Sequence, residues 1–471
     1  MKFGTSGLRG LATDLLSPQT AAYTKAFARY LLEIGALRPG GRIFIGRDLR
    51  ASSPAISALS ANVLSGMGLN VVDCGALPTP ALAGYAWSHG AAALMVTGSH
   101  IPAERNGIKF FLPDAEIGKS DEAAITAMVE APRVTDELPT RNYGFIAHEE
   151  AKAHRWYLDR SRGLATKNAL SGVKIGVYQH SSVARDFLVE LLESLGASVM
   201  PLARTPYFIA VDTEAIPAET IEMFSSWAGE YGLDAIVSAD GDADRPLIAD
   251  ENGVQLRGDI IGLVTAWWVG ADIVVTPITS NSGIHSGLGF EVVRTRVGSP
   301  FVISAMRETA MDGRKVVGFE ANGGFMLGSS FQRNGTGGSA LPTRDAILPI
   351  LAVLQSARQS GVALSVLAKS WPLPVCASDR LEHFPAEQSQ ALMEHLSSGN
   401  TALRDFLSPL GEVVTLDRTD GLRVTLSSGE IVHLRPSGNA PELRCYAEAS
   451  TPAEAQSLVA RALDRVRSWN G

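Results

Sequence analysis

Ile43-Phe44-Ile45, a helical stretch from about Pro54 to Met67, then Gly68-Leu69-Asn70-Val71-Val72 and Pro78-Thr79-Pro80 form the segment whose reading decides the fold. An apolar run, a helix-period segment, a helix-ending glycine and a second apolar run read as strand, helix and strand. The grammar returns at Val173 to Val177, with Phe187, Leu188, Leu191, Leu192 and Leu195 at helical spacing, then Gly196-Ala197-Ser198-Val199-Met200 and Thr205-Pro206. It returns more weakly at Ile273 to Val275, Gly289-Phe290-Glu291-Val292-Val293 and Gly298-Ser299-Pro300, where the stretch from Ser282 to Leu288 is short and glycine-broken. Each unit reads as a β-α-β crossover in a mixed or parallel sheet, so three similar α/β domains in series are expected.

After about Pro372 the pattern changes to alternation: Val413 to Leu416, Leu422 to Leu426 and Ile431 to Leu434, with Ser427-Ser428-Gly429 as a hairpin turn. A helical period follows from Pro452 to Trp469. The expected plan is therefore α/β, with three similar mixed-sheet domains and a smaller α+β C-terminal domain around a central cleft. The expected boundaries are 1–142, 143–254, 255–368 and 369–471. A chain of 471 residues suits that number of cores.

Composition narrows the class. A net charge of -8, without any long Lys/Arg run, argues against a nucleic-acid or anionic-membrane partner. Cys74, Cys376 and Cys445 are scattered and show no zinc or disulfide spacing, which implies a reducing compartment. The N-terminal residues show no apolar stretch resembling a signal peptide, and the most apolar window, near Gly262 to Val275, is broken by Gly270 and Asp272. A cytoplasmic protein is expected.

In every α/β unit a further apolar strand stops at a polar loop: Thr97-Gly98-Ser99-His100, Asp240-Gly241-Asp242 and Glu320-Ala321-Asn322. Open α/β sheets bind ligands at the carboxyl ends of their strands, so three equivalent loops could line one cleft. Asp240, Asp242 and Asp244 alternate between two apolar strands, a pattern that converges oxygen ligands on a hard cation such as magnesium. The plainer reading is an acidic solvated turn. An EF-hand is excluded, because its glycine position holds Arg245, followed by Pro246, and the flanks are strand-like. Ser99 lacks the flanking glycines of a hydrolase nucleophile elbow, so taken alone it reads either as a nucleophile or as an ordinary polar turn.

Five segments taken together resemble the α-D-phosphohexomutase family: Phe3 to Gly10, Thr97 to Pro102 with Asn106 to Lys109, Asp240 to Arg245, Gly318 to Gly324, and Arg435 to Pro441. The resemblance spans the whole chain. It implies that Ser99 is a phosphoserine and that Asp240, Asp242 and Asp244, with a Ser99 phosphoryl oxygen, bind Mg2+. It further implies that Arg9 and Lys109 assist proton transfer at the reacting hydroxyl and that His100 is catalytic, with Thr5, Ser6 and Arg245 beside the substrate. Gly298, Ser299, Glu320, Asn322 and Gly323 would recognise the sugar, and Arg435, Ser437, Gly438 and Asn439 would grip the phosphate not being transferred. The implied reaction interconverts mannose 6-phosphate and mannose 1-phosphate through a hexose 1,6-bisphosphate, with glucose phosphates as the alternative substrates, in a monomer or homodimer. A lysine acting as base needs a lowered pKa, which Arg9 or the metal would favour at Lys109.

Gly324 and Ser299 stand where family members often carry histidine, or at the latter an acid. The Glu-Ala-Asn-Gly-Gly and Ser-Gly-Asn-Ala-Pro forms resemble those of bacterial phosphomannomutases. His180 and His285 are expected as surface or loop residues, and Trp267-Trp268 as core packing. Arg47-Asp48 is expected either to touch phosphate or to form a structural ion pair.

Overall fold

The computed structural model describes residues 1–4, 7–130, 144–310, 313–333, 335–371, 373–437 and 441–469. The three repeated units share one topology. In the first, strands lie in the order Asn70–Ala76, Arg42–Arg47, Ala92–Val96, Arg105–Phe111, the first three parallel and the last antiparallel. The second repeats it as Ser198–Arg204, Lys174–His180, Ala235–Ala239, Pro246–Ala249. The third does so as Glu291–Thr295, Ile273–Pro277, Val316–Phe319, Phe325–Leu327. The first sheet gains Ile146–His148 at one edge and Leu8–Leu11 with Lys2–Phe3 at the other, and the third gains Leu341–Asp345.

The crossover helices are Ser53–Gly66 and Arg185–Ser194, but the third unit has only a 3-10 turn, Ser286–Leu288. The glycine-broken sequence there supports nothing longer. Strands Ala92–Val96, Ala235–Ala239 and Val316–Phe319 are buried at every residue, because each lies inside its sheet with both faces covered. Each then reverses into its antiparallel neighbour, so the serine, aspartate and glutamate loops are the same hairpin connection in three copies.

One apolar cluster runs through all three units, from Phe44 and Tyr157 by way of Phe187 and Ile261 to Phe319 and Leu351. A shared core fixes the three hairpins relative to one another. The fourth unit closes its own core around Leu392, Leu426, Leu443 and Leu463. Its antiparallel sheet runs Val375–Leu381, Leu443–Ala449, Ile431–Pro436, Leu422–Leu426, Val413–Asp417, backed by helix Pro452–Arg467 with a Thr451/Glu454 capping box. Polar contacts join it to the third unit: Asn281 Nδ2 donates to Pro374 O at 2.8 Å, and the Val297 amide donates to Asp420 Oδ2 at 2.9 Å. Trp268 is core as expected, but Trp267 is 46% exposed and lies under Arg333, 5.0 Å from its guanidinium. Among the described residues no helix is long and apolar enough to cross a membrane.

Candidate active site

Ser99 is fully buried just beyond strand Ala92–Val96, with φ +54°. A non-glycine residue in that region is strained, and the surrounding hydrogen bonds hold it there. Its amide donates to Thr97 Oγ1 at 2.8 Å, and Thr97 in turn donates to Asp48 Oδ2 at 2.8 Å. Arg50, 1% exposed, donates to the carbonyls of Ser99, Ile101, Pro102 and Arg105 at 2.6–3.0 Å and pairs with Asp48 at 3.2 Å. A Cβ on Gly98 would stand 2.6 Å from Arg50 Cζ, so only glycine admits the guanidinium beneath the loop. Asp48 thus forms the expected structural ion pair, though with Arg50 and not Arg47.

The metal loop meets the serine directly. Ser99 Oγ donates to Asp240 Oδ2 at 2.5 Å, while Asp240 Oδ1 accepts the amides of Asp244 at 3.1 Å and Arg245 at 3.2 Å. Asp242 Oδ2 accepts from Thr79 Oγ1 at 2.5 Å and Lys109 Nζ at 2.6 Å. Asp244 Oδ2 accepts from Lys109 Nζ at 2.5 Å and from Arg344 Nε at 3.0 Å and Nη2 at 2.8 Å. The other oxygens, Asp242 Oδ1 and Asp244 Oδ1, are buried and accept no hydrogen bond, though Arg245 Nε stands 3.8 Å from Asp244 Oδ1. One oxygen from each aspartate lies within 4.8 Å of the others. Carboxylates converging from three side chains, two of them with a buried oxygen that accepts no hydrogen bond, suit a hard divalent cation.

The electrostatics follow from crowding. Burial, then repulsion from Asp242 and Asp244, pushes the Asp240 carboxyl well above the usual range. Burial also raises Asp244, but Arg344, Lys109 and Arg245 outweigh it and hold that group far below the carboxylate norm. Lys109 departs from expectation. Burial lowers its pKa, yet Asp242 and Asp244 raise it further, so the net shift is upward and not the lowering a base needs. The two carboxylates at 2.5–2.6 Å are the reason. His100, with Nδ1 3.3 Å from Ser99 Oγ, is pushed well below 6.5 by burial and then by Arg245 and Arg9, which keeps it neutral. Arg9 is lowered to about 10 by burial and by Arg245 and Arg344.

Above this layer opens a cleft lined by side chains of all four units. Arg9, His100, Arg245, Gly298, Glu320, Asn322, Arg435 and Ser437 share its wall. Ser99, Lys109 and the aspartates lie buried outside the wall. Ser299 is fully buried in the first turn of helix Ser299–Thr309, and Gly323 packs on Pro246, so neither reaches the wall. Thr5, Ser6, Gly438 and Asn439 lie outside the described residues. Sequence reasoning missed Arg50, Thr79, Asp212, Glu214, Arg344, Asp420 and Arg444. Asp420 pairs with Arg435 at 3.0 Å while accepting the Val297 amide, so one carboxylate holds this arginine against the third unit. Five arginines, Arg9, Arg245, Arg344, Arg435 and Arg444, concentrate positive charge on the wall of a chain that is negative overall.

His180 is not a surface residue. It is fully buried at the end of strand Lys174–His180, and its Nε2 donates to Ala239 O at 2.9 Å, bracing the backbone just before Asp240. Burial lowers its pKa to about 4, and does the same at His433. His285 is exposed in its loop, as expected. Unfolding exposes both buried imidazoles to protonation near 6.5, so below that pH the unfolded chain binds more protons than the native one. Stability should therefore fall as pH drops from about 6.5 to about 4, by up to about 1.4 kcal/mol per pH unit for each histidine. Urea titrations of the parent and of His180→Gln across this window check it: the variant should show the shallower slope, and equal slopes would remove His180 from the account.

A strand-end serine, a carboxylate loop and an arginine-walled cleft, assembled by one hairpin used three times, define a phosphoryl-transfer enzyme of the isomerase class, a mutase. Four family models match in chain order: phosphoglucomutase/phosphomannomutase alpha/beta/alpha domain I over residues 1–135, domain II over 156–253, domain III over 257–373, and the C-terminal domain over 384–465. The chain belongs to the phosphoglucomutase/phosphomannomutase family of α-D-phosphohexomutases. It is 51% identical over 463 residues to a phosphomannomutase of Sinorhizobium fredii, covering 98% of each chain. It is 41% identical over 476 residues to a phosphomannomutase of Salmonella muenchen, covering 100% of this chain and 96% of that one. A Burkholderia thailandensis phosphoglucomutase/phosphomannomutase family protein of known structure shares the fold, with a TM-score of 0.74 at 19% identity, covering 100% of this chain and 99% of that one.

Proposed function

We propose that the protein interconverts mannose 6-phosphate and mannose 1-phosphate, with Ser99 carrying the phosphoryl group and a hexose 1,6-bisphosphate as the intermediate. The observation that carries this reading is the hydrogen bond from buried Ser99 Oγ to Asp240, beside a cleft whose wall holds both Glu320 and Arg435. Full-length identity to two phosphomannomutases supports mannose as the sugar.

Phosphoryl transfer needs in-line placement and neutralised oxygens more than covalent chemistry from the protein. Asp240, Asp242 and Asp244 would hold Mg2+, which when bound offsets charge on the transferred group. The phosphoryl group passes from Ser99 Oγ to the free sugar hydroxyl, whose proton Arg9 and Lys109 handle. Lys109 reaches its base form only once Asp242 and Asp244 have other cationic partners, since those carboxylates stabilise the ammonium. The bisphosphate then turns in the cleft and returns its other phosphoryl group to Ser99. Arg435 must accept either end of the sugar, and a guanidinium fork recognises phosphate without reading the ring. Glu320 and Asn322 present oxygen acceptors to the ring hydroxyls.

We also place the protein in the cytoplasm, as a monomer or homodimer, with domain boundaries after residues 142, 254 and 368. Its three free thiols suit a reducing compartment. The decisive assay supplies purified protein with Mg2+ and a trace of sugar 1,6-bisphosphate. Mannose 1-phosphate should be converted fastest, glucose 1-phosphate more slowly and glucosamine 1-phosphate least. No conversion of any of them overturns the mutase reading, whereas a preference for glucosamine phosphate overturns only the sugar assignment.

A further inference from the structure

Arg344 closes strand Leu341–Asp345 and is 4% exposed, yet its guanidinium reaches the cleft wall. Its Nε and Nη2 grip Asp244 Oδ2 at 3.0 and 2.8 Å, and its Nη1 grips Glu320 Oε2 at 3.0 Å. Those acceptors sit on the corresponding hairpins of the second and third units. One planar side chain thus spans the metal loop and the sugar loop, with a different edge on each.

We propose that Arg344 is a positioning residue that couples sugar binding at Glu320 to cation binding at Asp244. The inference rests on the mutase reading of the cleft and goes beyond it. Arg344 and Lys109 fix the Asp244 carboxylate through Oδ2, which leaves Oδ1 buried without a hydrogen bond, with Arg245 Nε 3.8 Å away, and available as a ligand. Partners behind a ligating carboxylate set its orientation. The same guanidinium stands against Glu320, so hydroxyl groups that engage Glu320 alter the charge facing the other edge of the fork. Two sites that bias one rigid group become energetically linked, and the linkage is reciprocal.

Gly324 is the second part of the device. A Cβ there would lie 2.7 Å from Arg344 Cδ, 3.0 Å from Asn322 Oδ1 and 3.1 Å from Arg344 Cγ, so the missing side chain makes room for the arginine stem and the asparagine amide. Gly324 is not among the residues with positive φ, and alanine there displaces the stem without straining the backbone.

The test removes turnover with Ser99→Ala and follows Mn2+ binding by electron paramagnetic resonance, with and without saturating mannose 1-phosphate. The Ser99→Ala protein should bind Mn2+ more tightly when the sugar phosphate is present. Adding Arg344→Gln should weaken Mn2+ binding roughly tenfold or more and make it indifferent to the sugar phosphate. Adding Gly324→Ala should abolish the same dependence. Arg344→Lys, a point charge that cannot hold both carboxylates, should keep more of the metal affinity but lose the dependence. A dependence that is absent from the Ser99→Ala protein, or that survives both Arg344→Gln and Gly324→Ala, overturns the coupling and leaves Arg344 as a neutraliser of buried charge. Failure of the Ser99→Ala protein to bind either Mn2+ or mannose 1-phosphate instead overturns the functional reading itself.

Discussion

Ser99→Ala should leave no phosphate on the protein after incubation with hexose 1,6-bisphosphate and should lower kcat by at least about 10⁴-fold, because a carrier that acts covalently has no substitute. Intact-mass measurement reads the first effect and the coupled mutase assay the second. Ser99 also stores strain, with φ at +54° in a fully buried loop. Alanine inherits the steric cost of that conformation and glycine adopts it freely, so Ser99→Gly should be more stable than Ser99→Ala by about 1 kcal/mol. Both variants leave Asp240 Oδ2 without its 2.5 Å donor, so the difference between them isolates the backbone. Phosphate that persists on the alanine variant would place the carrier elsewhere. Equal stabilities would mean that the loop relaxes once the hydroxyl is gone.

The parts of this molecule legible in the sequence are those whose cause is local. Strand Ala235–Ala239 announces itself as an apolar run, and the aspartates after it alternate at a spacing that suits convergent ligation. The 3-10 turn at Ser286–Leu288 follows from the glycines around it. Arg344 carries no such local mark: its partner Asp244 lies 100 residues away, and nothing in Thr343-Arg344-Asp345 distinguishes it from an exposed strand arginine. Arg50 is hidden for the same reason, since the carbonyls it holds belong to the serine loop. His180 was misjudged because a buried imidazole depends on one carbonyl, Ala239 O, that the fold supplies from another strand. Strand Val375–Leu381 has its Ser378-Asp379-Arg380 segment exposed and offers no period-two signal, whereas Leu422–Leu426 alternates and is read as a strand.

Arg50→Met should cost about 3–5 kcal/mol of stability, because it leaves the buried Asp48 carboxylate unpaired. It also strips a donor from four loop carbonyls, those of Ser99, Ile101, Pro102 and Arg105. The loss should appear in urea as a lower midpoint with an unchanged slope. Adding Asp48→Asn removes the stranded charge, so the double variant should be less destabilised than the sum of the singles, by about 1–3 kcal/mol. The pH dependence gives an independent check. Burial already holds the Asp48 carboxyl above its usual value, with Arg50 pulling against it, so removing Arg50 must raise it further. A carboxyl raised in the native state is tolerated while protonated and costs stability as pH climbs through its native pKa. The deficit of Arg50→Met relative to the parent should therefore shrink on acidification, and His180 and His433 do not obscure this because they titrate in both proteins. The functional consequence follows from where the loop carbonyls lie: a displacement of Ser99 by about 1 Å should cost roughly 100-fold in kcat. If the variant loses stability but keeps full turnover, Arg50 only folds the loop. A parallel loss of both shows that the buried arginine sets the position from which Ser99 reacts.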